Sequence, residues 1–419
     1  MSSHRNDERR VVVTGLGVVS SLGIGWQEFW KNLIAGKSGI SKVSSFDTSE
    51  YDRHYAGEVK NFDPSQFISK HKINKLGRTT QMAIAAAKLA LRDADINLKE
   101  IKNTAISIGT TGGERKLLEM CNAARHEHRA GRNKILFDQE LVACATDNLA
   151  LRVGEELSLN SHCTTISTAC AAGNYAIGEG FDLIKYGLFD CAIVGGADSF
   201  SKMIYAGFSR LYDIAPEECQ PFDVNRQGTI PGEGSGVLVL ETLVGAKSRN
   251  AKIYAEILGY GLSCDAHHMT KPLVAGIVSA IQKAIKDSRI QINDVDYISA
   301  HGTGTHENDH AECTAIHTIF DTRKILVSSI KSMLGHAMGA ASAIAAIACC
   351  KVVHQGIVPP TINFHSPDPT CDIDCIPNQS RSAMVKIAIN NGFGFGGNNS
   401  TVVIKKFVAT QVDLDDLKF

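Results

Sequence analysis

Three residues of this chain combine a reactive type with a setting that favours chemistry: Cys170, His301 and His336. Cys170 stands in Ser167-Thr168-Ala169-Cys170-Ala171-Ala172-Gly173. The apolar run Thr164–Ile166 before it reads as a short buried strand. Residues 174–184 after it carry apolar side chains at helical spacing. Cys170 is therefore expected where a strand turns into a helix. The first helical turn has unpaired N–H groups and a partial positive charge, and both favour a thiolate. The small neighbours Ala169, Ala171, Ala172 and Gly173 leave room for an acyl group on the sulfur. A small buried cysteine packing a strand–helix joint has the same local signature. On this stretch alone both readings are open.

Two later stretches favour the nucleophile. Tyr297–Thr305 is a strand ending in His301 and the small polar turn Gly302-Thr303-Gly304-Thr305. Residues 327–341 put Lys331 and then His336 at the mouth of an Ala-rich helix. Singly, these are a satisfied core histidine and a solvated lysine. A cysteine with two histidines, all at strand ends or helix starts, is a set that α/β folds use for chemistry.

At these residues the chain resembles the elongating β-ketoacyl-acyl-carrier-protein synthases, the KAS I/KAS II class of ketosynthases. The resemblance lies in Thr168-Ala169-Cys170, in His301-Gly302-Thr303-Gly304-Thr305 and in Lys331-Ser332-Met333-Leu334-Gly335-His336. It continues in Asn391-Gly392-Phe393-Gly394-Phe395-Gly396-Gly397-Asn398-Asn399 and in the opening run 11–20. These motifs occur in order and span nearly the whole chain.

Composition is consistent with such an enzyme. At 419 residues the chain can form two cores, and 44% hydrophobic residues suit a globular protein. A formal charge of -1 supplies no field to draw it to nucleic acid or a membrane. The first ten residues are polar and lack a signal-peptide core, and no stretch is expected to span a bilayer. The expected location is cytoplasmic. The twelve cysteines include no Cys-x-x-Cys pair, so neither a metal site nor a disulfide framework is expected.

Along the chain, residues 11–19 read as a buried strand running into Gly15-Leu16-Gly17. This lacks the third glycine of a dinucleotide fingerprint and is read as a tight strand–helix turn. Phe62-Asp63-Pro64-Ser65 suggests a helix start, followed by an apolar helix at 82–91. Residues 125–134 read as an exposed basic loop, and residues 200–222 as irregular. Gly232-Glu233-Gly234-Ser235-Gly236 is not a serine-hydrolase elbow, because Glu233 fills the first glycine position. From Ile253 the strand–helix pattern restarts. Cys170 and His336 stand in similar places, each after a strand and before a small-residue helix, which implies two pseudo-equivalent α/β halves, 1–252 and 253–419. The resemblance implies the same: a thiolase-like fold layered α-β-α-β-α.

The resemblance also implies roles. Cys170 carries the growing chain as a thioester. The N–H groups of Cys170 and Phe395 form its oxyanion hole. Neutral His301 and His336 stabilise the enolate of a malonyl thioester, with Lys331 orienting the site through Glu312. Thr303 and Thr305 contact the pantetheine arm, while Phe393 and Phe395 form a gate. No cofactor is expected beyond the phosphopantetheine of an acyl carrier protein. That acidic partner is expected to dock on Lys70, Lys72, Lys75, Arg78, Arg129, Arg132 and Lys134.

Thiolases use a second cysteine near the C-terminus, and the segment 392–399 contains none. Initiating ketosynthases use Cys-His-Asn, unlike the Lys331…His336 motif. A chain-length factor lacks the nucleophile. At the acyl pocket, Gln139 and Glu140 align where aromatic residues are usual, Thr111 where isoleucine is usual, and Asn398 replaces a threonine. These departures favour a type II polyketide ketosynthase over a fatty-acid condensing enzyme. They also favour a dimer with a chain-length-factor homologue, since two copies of Glu140 at one twofold interface would repel.

Overall fold

The computed structural model describes residues 9–97, 103–129 (side chains to 125), 144–320 and 325–409. The first part of the chain supplies strands β1 (Val11–Ser20), β2 (Thr104–Gly109), β3 (His162–Ile166), β4 (Cys191–Asp198) and β5 (Gly234–Thr242). The second supplies β6 (Ala255–Cys264), β7 (Tyr297–Ser299), β8 (Leu326–Ser328), β9 (Ile387–Gly394) and β10 (Asn398–Lys405). Among the described residues they lie in the order β3-β2-β4-β5-β1-β6-β10-β9-β7-β8. Outward from the β1/β6 joint, each set runs first, fifth, fourth, second, third. Strand senses repeat as well. β2 is parallel to β3 and β4, and β7 to β8 and β9, while the other pairs on the path are antiparallel. The joint itself is short, Val11–Val13 against Ala255–Ile257.

Seven helices position the rest: α1 (Arg78–Asp93), α2 (Asn148–Leu157), α3 (Ala172–Lys185), α4 (Lys202–Arg210), α5 (Val274–Asp287), α6 (His306–Phe320) and α7 (Ala341–Gln355). α3 and α7 touch each other and strands of both sets. α1 packs on β1 and β5 and α2 on β3, while α5 packs on β6 and β10 and carries α6. The result is the five-layered α-β-α-β-α arrangement of a thiolase-like fold. α7 is apolar nearly all round, Ser342 and Lys351 excepted, because it lies in the core, and Ala341–Val353 is buried throughout. Met338–Gln355 is in fact long and apolar enough to cross a membrane, contrary to the expectation from sequence. Here it is the core helix of the fold.

Four expectations are corrected. Gly15 and Gly17 make no turn, since β1 continues to Ser20. A Cβ at Gly17 would stand 1.9 Å from the Ala86 carbonyl oxygen, and one at Gly15 2.2 Å from that of Ala90. These glycines let α1 lie close on the strand. β3 is an edge strand with part-exposed side chains, so it is not buried. A helix covers Arg115–Arg129, so 125–129 is not loop. Residues 202–210 form α4, whose start is capped by Ser201 accepting from the Ile204 N–H at 3.2 Å.

Candidate active site

Cys170 lies in a single 3-10 turn, Ala169–Ala171, between β3 and α3. Ala169 takes a left-handed φ of 51° to make that turn. The sulfur is buried, and the N–H groups of Cys170 and Phe395 both point at it. Burial pushes the Cys170 thiol up to about 12, against the pull of Lys331. Burial thus opposes the thiolate that the helix start was expected to favour, while Lys331 and the two amides support it. The small neighbours also have another purpose. A Cβ at Gly173 would meet the Ala343 nitrogen at 2.7 Å, so Gly173 lets α3 cross α7. Nor are Cys170 and His336 equivalent. The second half repeats the 3-10 turn at Met338–Ala340, with Met338 also at φ 51° and α7 following. Gly339, not His336, occupies the place of Cys170.

His301 follows β7, and its backbone is fixed by Glu312, which accepts from the N–H groups of His301 at 2.9 Å and Gly302 at 2.8 Å. Glu312 also accepts from Asn391 at 3.1 Å. Lys331 opens the short helix Lys331–Leu334 and is buried. Its Nζ donates to the His301 carbonyl at 2.5 Å and stands 3.4 Å from His301 Nδ1. His336 Nδ1 accepts from the Met338 N–H at 3.1 Å, so its proton sits on Nε2. The His336 backbone is pinned to the segment before β5, its N–H donating to Ile230 at 2.7 Å. The two rings are 5.5 Å apart and nearly perpendicular. Burial first, then Lys331, holds both imidazoles well below the ordinary histidine range. Two neutral N–H donors thus face one buried space, and burial lowers Lys331 too.

A cleft of about 140 Å³ joins Cys170, His301, His336, Phe393, Phe395, Thr303 and Thr305. The hydroxyls of Thr303 and Thr305 bond each other at 2.9 Å. Phe393 is a buried residue of β9, 5.5 Å from the His301 ring, so it is a wall rather than half of a gate. Phe395 is the ring on the glycine loop, with Gly396 and Gly397 both at φ 83°. It stacks on Phe208 of α4 at 5.6 Å. Phe208, Thr229, Asn308 and the segment 268–272 line the cleft and were missed. Phe208 went unnoticed because 200–222 read as irregular, although the Ser201 cap was a usable signal.

Thr111 does not line this cleft. Its N–H donates to Asp198 at 2.7 Å and its hydroxyl is buried. Gln139, Glu140, Arg132 and Lys134 lie outside the described residues, as does the side chain of Arg129, the last residue of its helix. Lys70, Lys72 and Lys75 are exposed, Lys72 pairing with Glu156 at 2.9 Å. Arg78 leaves the expected docking patch. Its guanidinium holds buried Glu233 through two bonds of 2.7 and 2.9 Å and is spent inside the fold. No cluster of three metal-ligating side chains occurs among the described residues.

With this geometry in hand, two family descriptions match the chain: "Beta-ketoacyl synthase, N-terminal domain" over residues 8–246 and "Beta-ketoacyl synthase, C-terminal domain" over 254–365. The chain is 38% identical over 415 residues to the 3-oxoacyl-[acyl-carrier-protein] synthase 2 of Synechocystis sp., covering 96% of this chain and 99% of the relative. It is 37% identical over 419 residues to the Staphylococcus aureus protein of the same name, covering 96% and 100%. Among solved structures, the ishigamide ketosynthase/chain length factor superposes with a TM-score of 0.93 at 40% identity, covering 96% of this chain and 100% of that one. A type II polyketide ketosynthase in complex with its acyl-carrier protein, AntDE:AntF, gives 0.87 at 33%, with the same coverage.

Proposed function

The chain belongs to the β-ketoacyl synthase family, an acyltransferase family of condensing enzymes, and on that premise we propose that it serves as the ketosynthase of a type II polyketide synthase. The observation that carries the condensing reading is the shared cleft. One buried thiol faces two backbone N–H groups, and two neutral imidazoles face the same space.

Cys170 takes the acyl group from the pantetheine sulfur of the carrier protein. Its amide and that of Phe395 hold the oxyanion of the tetrahedral intermediate. A thiol enters and a thiol leaves, so the Cys170 proton passes to the departing sulfur. Lys331 and the two amides favour the thiolate that attacks, against the burial that raises this thiol. The malonyl thioester then binds beside the histidines. As carbon dioxide leaves, its thioester oxygen becomes an enolate oxygen that accepts from Nε2–H of His301 and His336. The enolate carbon attacks the Cys170 thioester, the carbon–sulfur bond breaks, and the departing sulfur takes up from water the one proton that the overall reaction consumes. Lys331 keeps both imidazoles neutral, and Glu312 positions His301 through its backbone. Thr303 and Thr305 meet the pantetheine arm, and Phe395 swings as the gate. Lys70, Lys72 and Lys75 receive the acidic carrier, with Arg129, Arg132 and Lys134 extending that patch.

The polyketide assignment draws support from the 40% identity to a ketosynthase/chain length factor and from the polar residues Gln139 and Glu140 aligned at the acyl pocket. We place the division between halves at 252/253, next to the β1/β6 joint, and the working form in a heterodimer with a cysteine-less homologue. A fatty-acid condensing enzyme is the second reading, favoured by the 38% identity to a 3-oxoacyl synthase 2. The test is reconstitution with malonyl carrier protein, with and without the homologue, and mass spectrometry of the carrier-bound product. A poly-β-keto chain made only by the pair is expected. A homodimer that is fully active alone on saturated acyl chains would favour the second reading.

A further inference from the structure

Thr229 lies in the cleft that holds Cys170 and both histidines, and it is 1% exposed. Its Oγ1 is buried with no oxygen or nitrogen acceptor in reach among the described residues. The Cys219 sulfur, a weak acceptor, is the one polar atom the hydroxyl meets, while the Cys219 S–H donates to the Thr303 carbonyl at 3.3 Å. A buried hydroxyl that has only a weak sulfur acceptor is under-satisfied, so a bound anion that accepts from it gains accordingly.

The backbone around Thr229 locates that group. Thr229 pairs with Asp213, its N–H donating to the Asp213 carbonyl at 2.7 Å. On one side Gly228 donates to the Gly304 carbonyl at 2.9 Å, which ties it to the Thr303–Thr305 turn. On the other side Ile230 accepts from the His336 N–H at 2.7 Å. Thr229 therefore sits between the turn that follows His301 and the strand-like segment that carries His336. Of the acidic and lysine side chains on the cleft wall, Asp213 and Glu307 outnumber Lys271, so the wall supplies no net positive field. Local donors, rather than a net field, must then sort an anion.

We infer that the Thr229 hydroxyl donates to the free carboxylate of the malonyl extender, holding it beside His301 and His336 before carbon dioxide leaves. Thr229 is on this view a binding residue of the extender subsite. The inference rests on the condensing reading above. It adds that this chain recognises the extender's carboxylate by a hydroxyl, so a thioester without that carboxylate gains nothing from it.

The experiment compares Thr229→Val, which keeps the shape and removes the donor, with Thr229→Ser, which keeps the donor. Malonyl carrier protein decarboxylation and acyl transfer to Cys170 are measured separately, with melting temperature as a control. Thr229→Val is expected to raise KM for malonyl carrier protein about tenfold, the scale of one hydrogen bond to a charged group. It should leave acyl transfer within about twofold. Thr229→Ser should remain close to the parent. Unchanged KM in Thr229→Val, or equal losses in both half-reactions, overturns the inference. A parent enzyme that does not decarboxylate malonyl carrier protein at all overturns the condensing reading instead.

Discussion

The two halves of the molecule build the same turn and use it differently. In the first, Ala169–Ala171 leads into α3. In the second, Met338–Ala340 leads into α7, and both turns begin at φ 51°. The first turn carries Cys170, with its amide aimed at its own sulfur. The second carries Gly339, whose N–H is taken by Asp198 at 2.7 Å. A Cβ at Gly339 would stand 2.6 Å from the Thr111 nitrogen and 2.7 Å from Asp198 Oδ2, so this turn has no room for a nucleophile. Chemistry on the second side comes from His336, three residues earlier, and from His301 on the neighbouring strand end. Duplication supplies the frame, and the choice of one amide's partner decides which copy does covalent work.

That contrast is broken most severely at the reactive groups themselves. Cys170→Ala should remove both acyl transfer and condensation, by at least about 10³-fold. His301→Ala or His336→Ala should cut malonyl decarboxylation by about 10²- to 10³-fold while acyl transfer to Cys170 survives. Separate assays of the half-reactions check this, and equal loss of both in a histidine variant would dissolve the division between halves. Broad alkylating agents are a poor probe here, because Cys264 is exposed while Cys170 is a buried thiol.

Asp198 is the next lever. Its Oδ2 accepts from Thr111 and Gly339, both at 2.7 Å, and its Oδ1 from Thr110 at 2.7 Å and Gly112 at 3.1 Å. Burial raises this carboxyl to about 6. In Asp198→Asn one acceptor oxygen becomes an NH2 that faces N–H donors. We expect a loss of about 2–4 kcal/mol in urea unfolding, because two short bonds become repulsive. A variant as stable as the parent would mean that the second turn does not depend on this carboxylate.

Much of this was legible in the sequence. Cys170, His301, Lys331 and His336 announce themselves by type and by the elements around them, and the strand–helix restart after Ile253 signals a repeat. What stayed hidden depends on which distant group a side chain meets. Arg78 looked like surface charge until Glu233 claimed it. Phe393 and Phe395 look alike between glycines, but β-pairing of Phe393 with Asn399 fixes one ring and leaves the other on the loop. The offset between Cys170 and His336 was invisible because both follow strands. Only the matched turns at Ala169 and Met338 give the register.

A smaller effect is expected from pH. Both histidines are held neutral by burial and Lys331, so decarboxylation should stay flat as pH falls from 8 through 6.5. A limb near 6.5 would mark an ordinarily solvated imidazole. Stability runs the other way. The unfolded chain takes protons on these histidines below about 6.5 while the folded chain does not, so their contribution falls with falling pH. Buried acids such as Asp198, raised to about 6, oppose this. The histidine share is therefore read as the difference in melting temperature between the parent and His336→Gln at pH 7.5 and 5.5. That difference should shift in favour of His336→Gln at the lower pH.

The smallest effect tests the turn itself. Ala169 holds φ 51°, a conformation that costs an L-residue roughly 1–2 kcal/mol and costs glycine almost nothing. Glycine also loses more backbone entropy on folding, by about 0.5–1 kcal/mol. The two terms nearly cancel, with a small surplus for relief of strain. Ala169→Gly should thus be neutral or stabilising by up to about 1 kcal/mol. Ala176 is the internal reference. It is a buried interior residue of α3, where glycine pays the entropy, gains no relief and loses a packed methyl. Ala176→Gly should cost about 1–2 kcal/mol. Urea unfolding of the two variants gives the comparison directly. If Ala169→Gly destabilises as much as Ala176→Gly, the turn before Cys170 stores no strain. The matching φ at Met338 would then be a product of the fold's repetition rather than a shared cost of starting a helix at that point.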